Sequence, residues 1–180
     1  MFKKILIALS AFALIFMASP AQASSHAKSL ANLGAMDIMF AQTMILHHQQ
    51  AIDISNLALK NDASAEVKSV AKVIIAAQKK EIAQMKYWLT STKSPLVTDH
   101  NMGMDGMLTE RQIKTLKTLK SSKFSKAYLG AMIAHHNGAL KMVSYLDGTK
   151  NSEAKKLAKD IKSSQSAEIA AMKKMLAKIA

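Results

Sequence analysis

The sequence lacks cysteine altogether and is poor in proline, arginine and aromatic residues. Its 180 residues include two prolines, one arginine and 5% aromatics. The absence of cysteine excludes a disulfide scaffold, a Cys-ligated zinc finger, an iron–sulfur cluster, c-type haem attachment and a thiol nucleophile. Few prolines and abundant alanine, lysine, leucine and isoleucine favour helices over strands. The length suits a single domain that buries its own core.

Acidic side chains are also scarce, and the formal net charge is +13. The lysines are spread along the predicted helices, which is typical of a solvated face. A single arginine and the lack of a basic–aromatic motif argue against a nucleic-acid partner. There are only five glutamates and no Glu-x-x-His sequence, so the ligands of a di-iron bundle site are missing.

The first 23 residues have the features of a secretory signal peptide. Lys3 and Lys4 precede an uncharged apolar run, and the small-residue pattern Ala-Gln-Ala ends at Ala23. The apolar run is shorter than the roughly 20 residues that a membrane span requires. We therefore predict that residues 24–180 form the mature protein, in the periplasm or outside the cell and with no membrane insertion. Its net charge falls from +13 to +11 once the two leader lysines are removed.

Two parts of the chain align with each other. Residues 40–51 lie over residues 128–139 at a constant offset of 88, and a second stretch aligns at an offset of 87. We therefore predict a duplicated unit, with repeat one at about 30–91, a connector at 92–122 and repeat two at about 124–179. The second stretch pairs Gln78 with Gln165, Glu81 with Glu168, Ile82 with Ile169, Met85 with Met172 and Leu89 with Leu176.

Each repeat predicts two long amphipathic helices, because apolar residues recur at intervals of three and four. The predicted helices lie near 30–60, 63–91, 124–147 and 152–179, and Gly148 and Asn151 are suited to the second turn. Two helical hairpins with matching apolar faces should dock as an all-α four-helix bundle. In the connector, Thr109 and Gln112 form a capping-box pattern that predicts a short helix to about Lys120.

A Met-x-x-His-His motif occurs in both repeats. Its spacing places all three side chains on one stripe of a helix. A single copy is typical of core packing, but repetition of the motif while its surroundings diverge favours a metal site. The motif comprises Met44, His47 and His48 in repeat one and Met132, His135 and His136 in repeat two.

The connector carries further soft donors. His100, Met102, Met104 and Met107 fall within eight residues, among glycines that would let the backbone wrap around an ion. The alternative is a flexible linker whose methionines are incidental.

Thioether and imidazole donors without thiolate indicate Cu(I), with Ag(I) as its mimic. The predicted export to an oxidising compartment supports the same choice, because methionine still offers sulfur to Cu(I) where cysteine would be oxidised. A protein with a large positive charge also repels a divalent ion more than a monovalent one.

The hairpin register separates the donors along the bundle. Met85 and Met172 lie ~10 Å beyond the histidines at 1.5 Å per residue. Met85 comes level with Met36 and Met39, which predicts a separate sulfur-rich locus that the connector could cap. The polar residues level with the histidines should instead fix the imidazole tautomers. These are Gln78, Glu81, Gln165 and Glu168.

The motifs resemble the bacterial secreted family catalogued as domain of unknown function 305. Its pattern of an acidic residue, an aromatic residue, Met-x-x-His-His and Ala is matched over 37–51 and 128–142, and its Gln-x-x-Glu-Ile-x-x-Met pattern over 78–85 and 165–172. The Met-x-Gly-Met loop and Leu-Thr cap fall in 104–109. This resemblance implies a ferritin-like bundle and copper handling. Ile54 and Ser125 depart from the pattern, so we expect the first site to be weaker than the second, where Met142 is present.

The sequence thus predicts a periplasmic or secreted Cu(I)-binding protein that sequesters the ion or passes it to a copper-efflux or copper-delivery protein in the envelope, without catalysis. Two alternatives remain open. One is a haem-binding four-helix electron carrier with His and Met as axial ligands. The other is a metal-free stress or interaction bundle.

Overall fold

The computed structural model describes residues 32–96 and 104–179, and these residues are helical with no strand. This confirms the all-α prediction. The predicted signal peptide, His100 and Met102 lie outside the described residues. In chain order the helices are α1 (Ala35–Lys60), α2 (Ala65–Ser91), α3 (Glu110–Thr118), α4 (Ser121–Val143) and α5 (Ser152–Leu176), and a 3-10 turn (Ser144–Leu146) follows α4.

Local hydrogen bonds set the helix boundaries. Asp37 accepts from the Gly34 backbone N–H at 2.9 Å where α1 begins. The capping box predicted for the connector is present, because Thr109 Oγ1 accepts from the Gln112 backbone and Gln112 Oε1 accepts from the Thr109 backbone. Asn151 Oδ1 caps α5 by accepting from the two backbone N–H groups that follow Ser152. Both hairpins differ slightly from prediction. The first helix begins at Ala35 rather than near residue 30, while α4 begins three residues earlier than predicted and ends in the 3-10 turn.

The four long helices pack as a bundle, in which α1 lies against α2, α4 lies against α5, and α1 also contacts α4. The apolar core divides into two clusters. The first contains Phe40, Trp88 and Leu157, and the second contains Ile74 and Tyr128. Since α1 runs from the first cluster to the second and α4 runs the opposite way, these two helices are antiparallel.

A buried polar layer separates the two apolar clusters. Each long helix contributes at least one polar residue between its two apolar stretches, and every member is at most 1% exposed. Burying polar side chains is costly unless they are paired, so the layer is not explained by packing. We call it the histidine layer; its members are His47, His48, Gln78, His135, His136 and Gln165.

Among the helices of the described residues, none combines the length and the hydropathy that crossing a membrane requires.

Candidate metal centre

Two carboxylates orient the outer histidines of the layer. His48 Nε2 lies 2.7 Å from Glu81 Oε2, and His136 Nε2 lies 2.7 Å from Glu168 Oε2. Both imidazoles are fully buried. A carboxylate at Nε2 fixes the tautomer of the imidazole and leaves its Nδ1 for another ligand, which is the role expected for these glutamates. In the part of the chain that the structure describes, neither Nδ1 atom has a hydrogen-bond partner.

The inner histidines of the two repeats meet at the centre of the bundle. The rings of His47 and His135 have centroids 3.8 Å apart at an interplanar angle of 43°. His47 Nε2 donates to the Asp105 carbonyl at 3.0 Å. Within the described ranges, neither ring nitrogen of His135 has a hydrogen-bond partner. Each histidine pair belongs to its own repeat in the sequence, and the structure brings the two pairs together in one layer.

Burial keeps the inner histidines neutral. Burial is the main reason that the pKa of His47 is lowered to about 4; the Asp105 carbonyl opposes this effect, and the neighbouring histidines add to it. The pKa of His135 is lowered to about 2, mainly by burial and then by His47. A neutral imidazole is the form that ligates metal. Both rings are therefore ready to bind an ion at neutral pH without first releasing a proton.

The amide side chains of Gln78 and Gln165 complete the layer. Both are 1% exposed, and among the described residues neither the oxygen nor the nitrogen of either amide has a hydrogen-bond partner. The prediction that they fix the imidazole tautomers is therefore wrong for these two residues, whereas Glu81 and Glu168 make the expected contacts. An unpaired buried polar group costs roughly 1–3 kcal/mol. Together with the free nitrogens of His135, these orphaned atoms fit a site that holds an ion or ordered water. Neutral imidazole is a ligand that copper, zinc, iron and nickel all accept.

A segment of the connector, residues 104–108, crosses α1 and α4 beside the layer, and we call it the strap. Gly106 has φ +81°, a conformation that favours glycine. A Cβ atom on Gly138 of α4 would lie 1.8 Å from the Asp105 carbonyl oxygen, so only glycine lets the strap approach this closely. At the other end of the strap, the Gln50 amide donates to the Leu108 carbonyl and accepts from its N–H, at 2.9 and 2.7 Å.

Three methionines from three segments of the chain line one small cleft beside the strap. Met39 lies on α1, Met104 on the strap and Met142 on α4, and the cleft has a volume of about 160 Å³. We call it the methionine cleft; its other lining residues are Thr43, Asp105, Lys141 and Tyr145. Met39, Thr43 and His47 follow each other at four-residue intervals on α1, so Thr43 lies about one helical turn and Met39 about two turns from His47.

The other predicted sulfur ligands lie elsewhere. Met36 is 49% exposed at the start of α1 and does not line the methionine cleft. Met107 faces two shallower grooves on either side of α3. Met142 of the methionine cleft also belongs to the first apolar cluster and is 3% exposed. The four other buried methionines do not line the cleft; Met44 and Met85 lie in the first cluster and Met132 and Met172 in the second. In the described parts of the chain, no three His, Asp or Glu side chains converge as a metal site.

The sequence did not single out Asp105, Lys141 or Tyr145. A signal for Asp105 was available, because it precedes Gly106 within the methionine-rich run. The repeat also explains why the methionine cleft occurs at only one of two equivalent positions. At an offset of 88, Ala127 corresponds to Met39 and Ile54 to Met142, so the other position lacks both helix-borne thioethers.

Comparisons with known proteins place this arrangement in a family. No curated protein matches the sequence. A solved structure of a candidate secreted protein from Streptomyces coelicolor is 31% identical, with a TM-score of 0.76 over 80% of this chain and 93% of that one. CopM in its Cu(I)-bound form is 36% identical, with a TM-score of 0.65 over 77% and 94% of the two chains. Its Cu(II)-bound form is 34% identical, with a TM-score of 0.69 over 79% and 96%.

CopM has also been solved with silver bound. The Streptomyces protein carries the same domain description that the sequence motifs indicated. The family model described as Domain of unknown function (DUF305) matches residues 37–176, which include all five helices except the first two residues of α1. This chain belongs to the DUF305 family.

Proposed function

We propose that this protein is an exported copper-binding protein that holds Cu(I) with thioether and imidazole ligands. It sequesters the ion or passes it on, and it catalyses no reaction of its own. Ag(I) binds at the same positions, since it shares the single charge and the softness of Cu(I).

The methionine cleft carries this proposal. Met39, Met104 and Met142 are far apart in the sequence, and they come together only because the strap is fitted against α4 at Gly138. Thioethers are neutral, soft donors that carry no proton to lose, which suits a soft monovalent ion. Copper- and silver-bound CopM structures support the choice of metal.

The histidine layer is proposed as a second locus for the same cargo. His47 connects the two loci, because the strap carbonyl that it contacts belongs to Asp105, a lining residue of the methionine cleft. The haem alternative is disfavoured for the inner histidines. Their rings are in contact at 3.8 Å, so no planar macrocycle lies between them.

The finer architecture and the location belong to the same proposal. Equal His–Glu distances in the two halves, and equal ring separations of 6.4 Å within each histidine pair, support a duplicated hairpin of ferritin-like type. The predicted signal peptide supports export to the periplasm or beyond. An envelope protein that delivers or removes copper is the proposed partner.

A competition titration with Cu(I) tests the proposal. The mature protein is titrated under reducing conditions against a chromogenic Cu(I) chelator, alongside the M39L/M104L/M142L variant. Leucine and methionine have similar volumes, so each exchange costs less than about 1.5 kcal/mol of stability. We expect the wild type to withdraw Cu(I) from the chelator and the variant to lose at least one bound equivalent. Equal titration curves for both proteins would refute the assignment of the methionine cleft.

The same samples distinguish a metal-free bundle. A ligand that binds only the native state stabilises it by about 2.7 kcal/mol at a concentration of 100 times Kd. We therefore expect Ag(I) to raise the melting temperature of the wild type. An unchanged melting temperature would favour the metal-free interaction bundle.

A further inference from the structure

The methionine cleft contains one ion pair among its lining residues. Lys141 Nζ lies 3.1 Å from Asp105 Oδ2, at the rim of the cleft. Asp105 and Lys141 are its two charged lining residues. The remaining donors are the three thioethers and the hydroxyls of Thr43 and Tyr145, and the Thr43 hydroxyl already donates within α1 to the carbonyls of Met39 and Phe40.

The backbone holds Asp105 at this rim. Its carbonyl is bound to His47, the next residue requires positive φ, and Gly138 lies against it. The Asp105 side chain, 59% exposed, therefore lines the same cleft as the three methionines, where its carboxylate would serve as an anionic ligand if it were free. The carboxylate instead forms an ion pair with Lys141.

From this arrangement we infer that Lys141 determines the charge specificity of the methionine cleft, by engaging Asp105 so that a soft monovalent ion is favoured over a divalent one. The inference rests on the proposed function. Moving a divalent cation out of water costs more than moving a monovalent one, and carboxylate ligands offset this cost for hard divalent ions in proteins. Repulsion from the lysine ammonium also doubles when the charge of the ion doubles.

The internal repeat gives an independent indication. At an offset of 88, Lys141 and Met142 correspond to Asp53 and Ile54. In repeat two, lysine therefore precedes the methionine of the cleft, whereas in repeat one an aspartate precedes the isoleucine at the equivalent position. Asp53 instead accepts a hydrogen bond from Gln49 on the surface of α1, at 2.9 Å.

Ag(I) and Cd(II) allow a clean test, because both are soft d10 ions with the same electron count and differ in charge. The affinities of the mature protein for each ion are measured by calorimetry at one pH and ionic strength. The proteins are the wild type, Lys141→Gln, Asp105→Asn, and the double variant. Lys126→Gln is the matched control, because Lys126 is also an exposed lysine of α4 but does not line the cleft.

We expect Lys141→Gln to raise Cd(II) affinity at least tenfold while Ag(I) affinity changes less than threefold. Adding Asp105→Asn should return Cd(II) affinity to the wild-type value, and Lys126→Gln should change neither affinity. An unchanged ratio of Ag(I) to Cd(II) affinity in Lys141→Gln, or a ratio that Asp105→Asn does not restore, would overturn the inference. Failure of the wild type to bind Ag(I) at all would instead overturn the proposed function.

Discussion

Replacing Gly138 with alanine tests whether the strap is held where the structure places it. The new Cβ atom would lie 1.8 Å from the Asp105 carbonyl oxygen and 2.4 Å from its carbon, and Cβ contacts under 3.0 Å are essentially never found. The carbonyl must therefore withdraw by at least 1.2 Å, the difference between 3.0 and 1.8 Å. Its 3.0 Å bond to His47 Nε2 tolerates only a few tenths of an ångström before it weakens.

The magnitude follows from two opposing effects. A buried imidazole N–H that loses its acceptor costs about 1–3 kcal/mol, while alanine in a helix interior gains up to about 1 kcal/mol over glycine. Gly130→Ala is the matched control. It lies on the same helix, and its Cβ would meet no atom within 4 Å. Both variants share the gain in helix propensity, so their difference isolates the cost of moving the strap.

Urea denaturation of the apoprotein measures this difference. We expect Gly138→Ala to be less stable than Gly130→Ala by about 1–3 kcal/mol. Because Met104 moves with the strap, Ag(I) affinity should also fall about tenfold or more, equivalent to about 1.4 kcal/mol, in Gly138→Ala alone. Equal stability and equal Ag(I) affinity of the two variants would refute the close packing of the strap on α4.

Two further predictions concern the histidine layer. Glu81→Ala and Glu168→Ala should each destabilise the apoprotein by about 1–3 kcal/mol in urea melts, and to a similar extent, because each removes a 2.7 Å partner of a buried histidine; unequal losses would argue against equivalent halves. The stability of the apoprotein should fall as pH drops from about 6.5 towards 4. The pKa of His47 is lowered to about 4 in the folded state, so the unfolded chain binds more protons in that range, which is worth about 3 kcal/mol for this residue. His135 acts in the same direction, because burial also lowers its pKa, so urea melts of His135→Gln across this range should show a smaller loss of stability. Stability that is flat or rises on acidification would contradict the burial of neutral imidazoles.

The helices and the pairing of histidine with glutamate could be predicted from the sequence. Helical periodicity places Met44, His47 and His48 on one stripe, and the hairpin register brings Glu81 level with the histidines. Both depend on local geometry of 1.5 Å and 100° per residue. The two observed His–Glu contacts therefore follow from spacing and repetition alone.

The composition of the methionine cleft could not be predicted in the same way. The hairpin register gives the height of a residue along the bundle, and Met85 was predicted to be a sulfur ligand because it is level with Met36 and Met39. Its direction around the helix places it in the core with Trp88 and Leu89 instead. Met104 reaches the cleft through a long connector, whose path depends on a glycine on another helix. Contacts of this kind are tertiary, and no local pattern in the sequence encodes them.

X-ray absorption spectroscopy of the Cu(I)-loaded protein tests the central claim most directly, because it identifies the atoms bound to the metal. One equivalent of Cu(I) is bound to the wild type and to the M39L/M104L/M142L variant under reducing conditions. We predict sulfur in the first coordination shell of the wild type, and its loss in the variant in favour of nitrogen donors from the histidine layer. A wild-type spectrum with nitrogen and oxygen donors alone, unchanged in the variant, would contradict thioether binding at the methionine cleft.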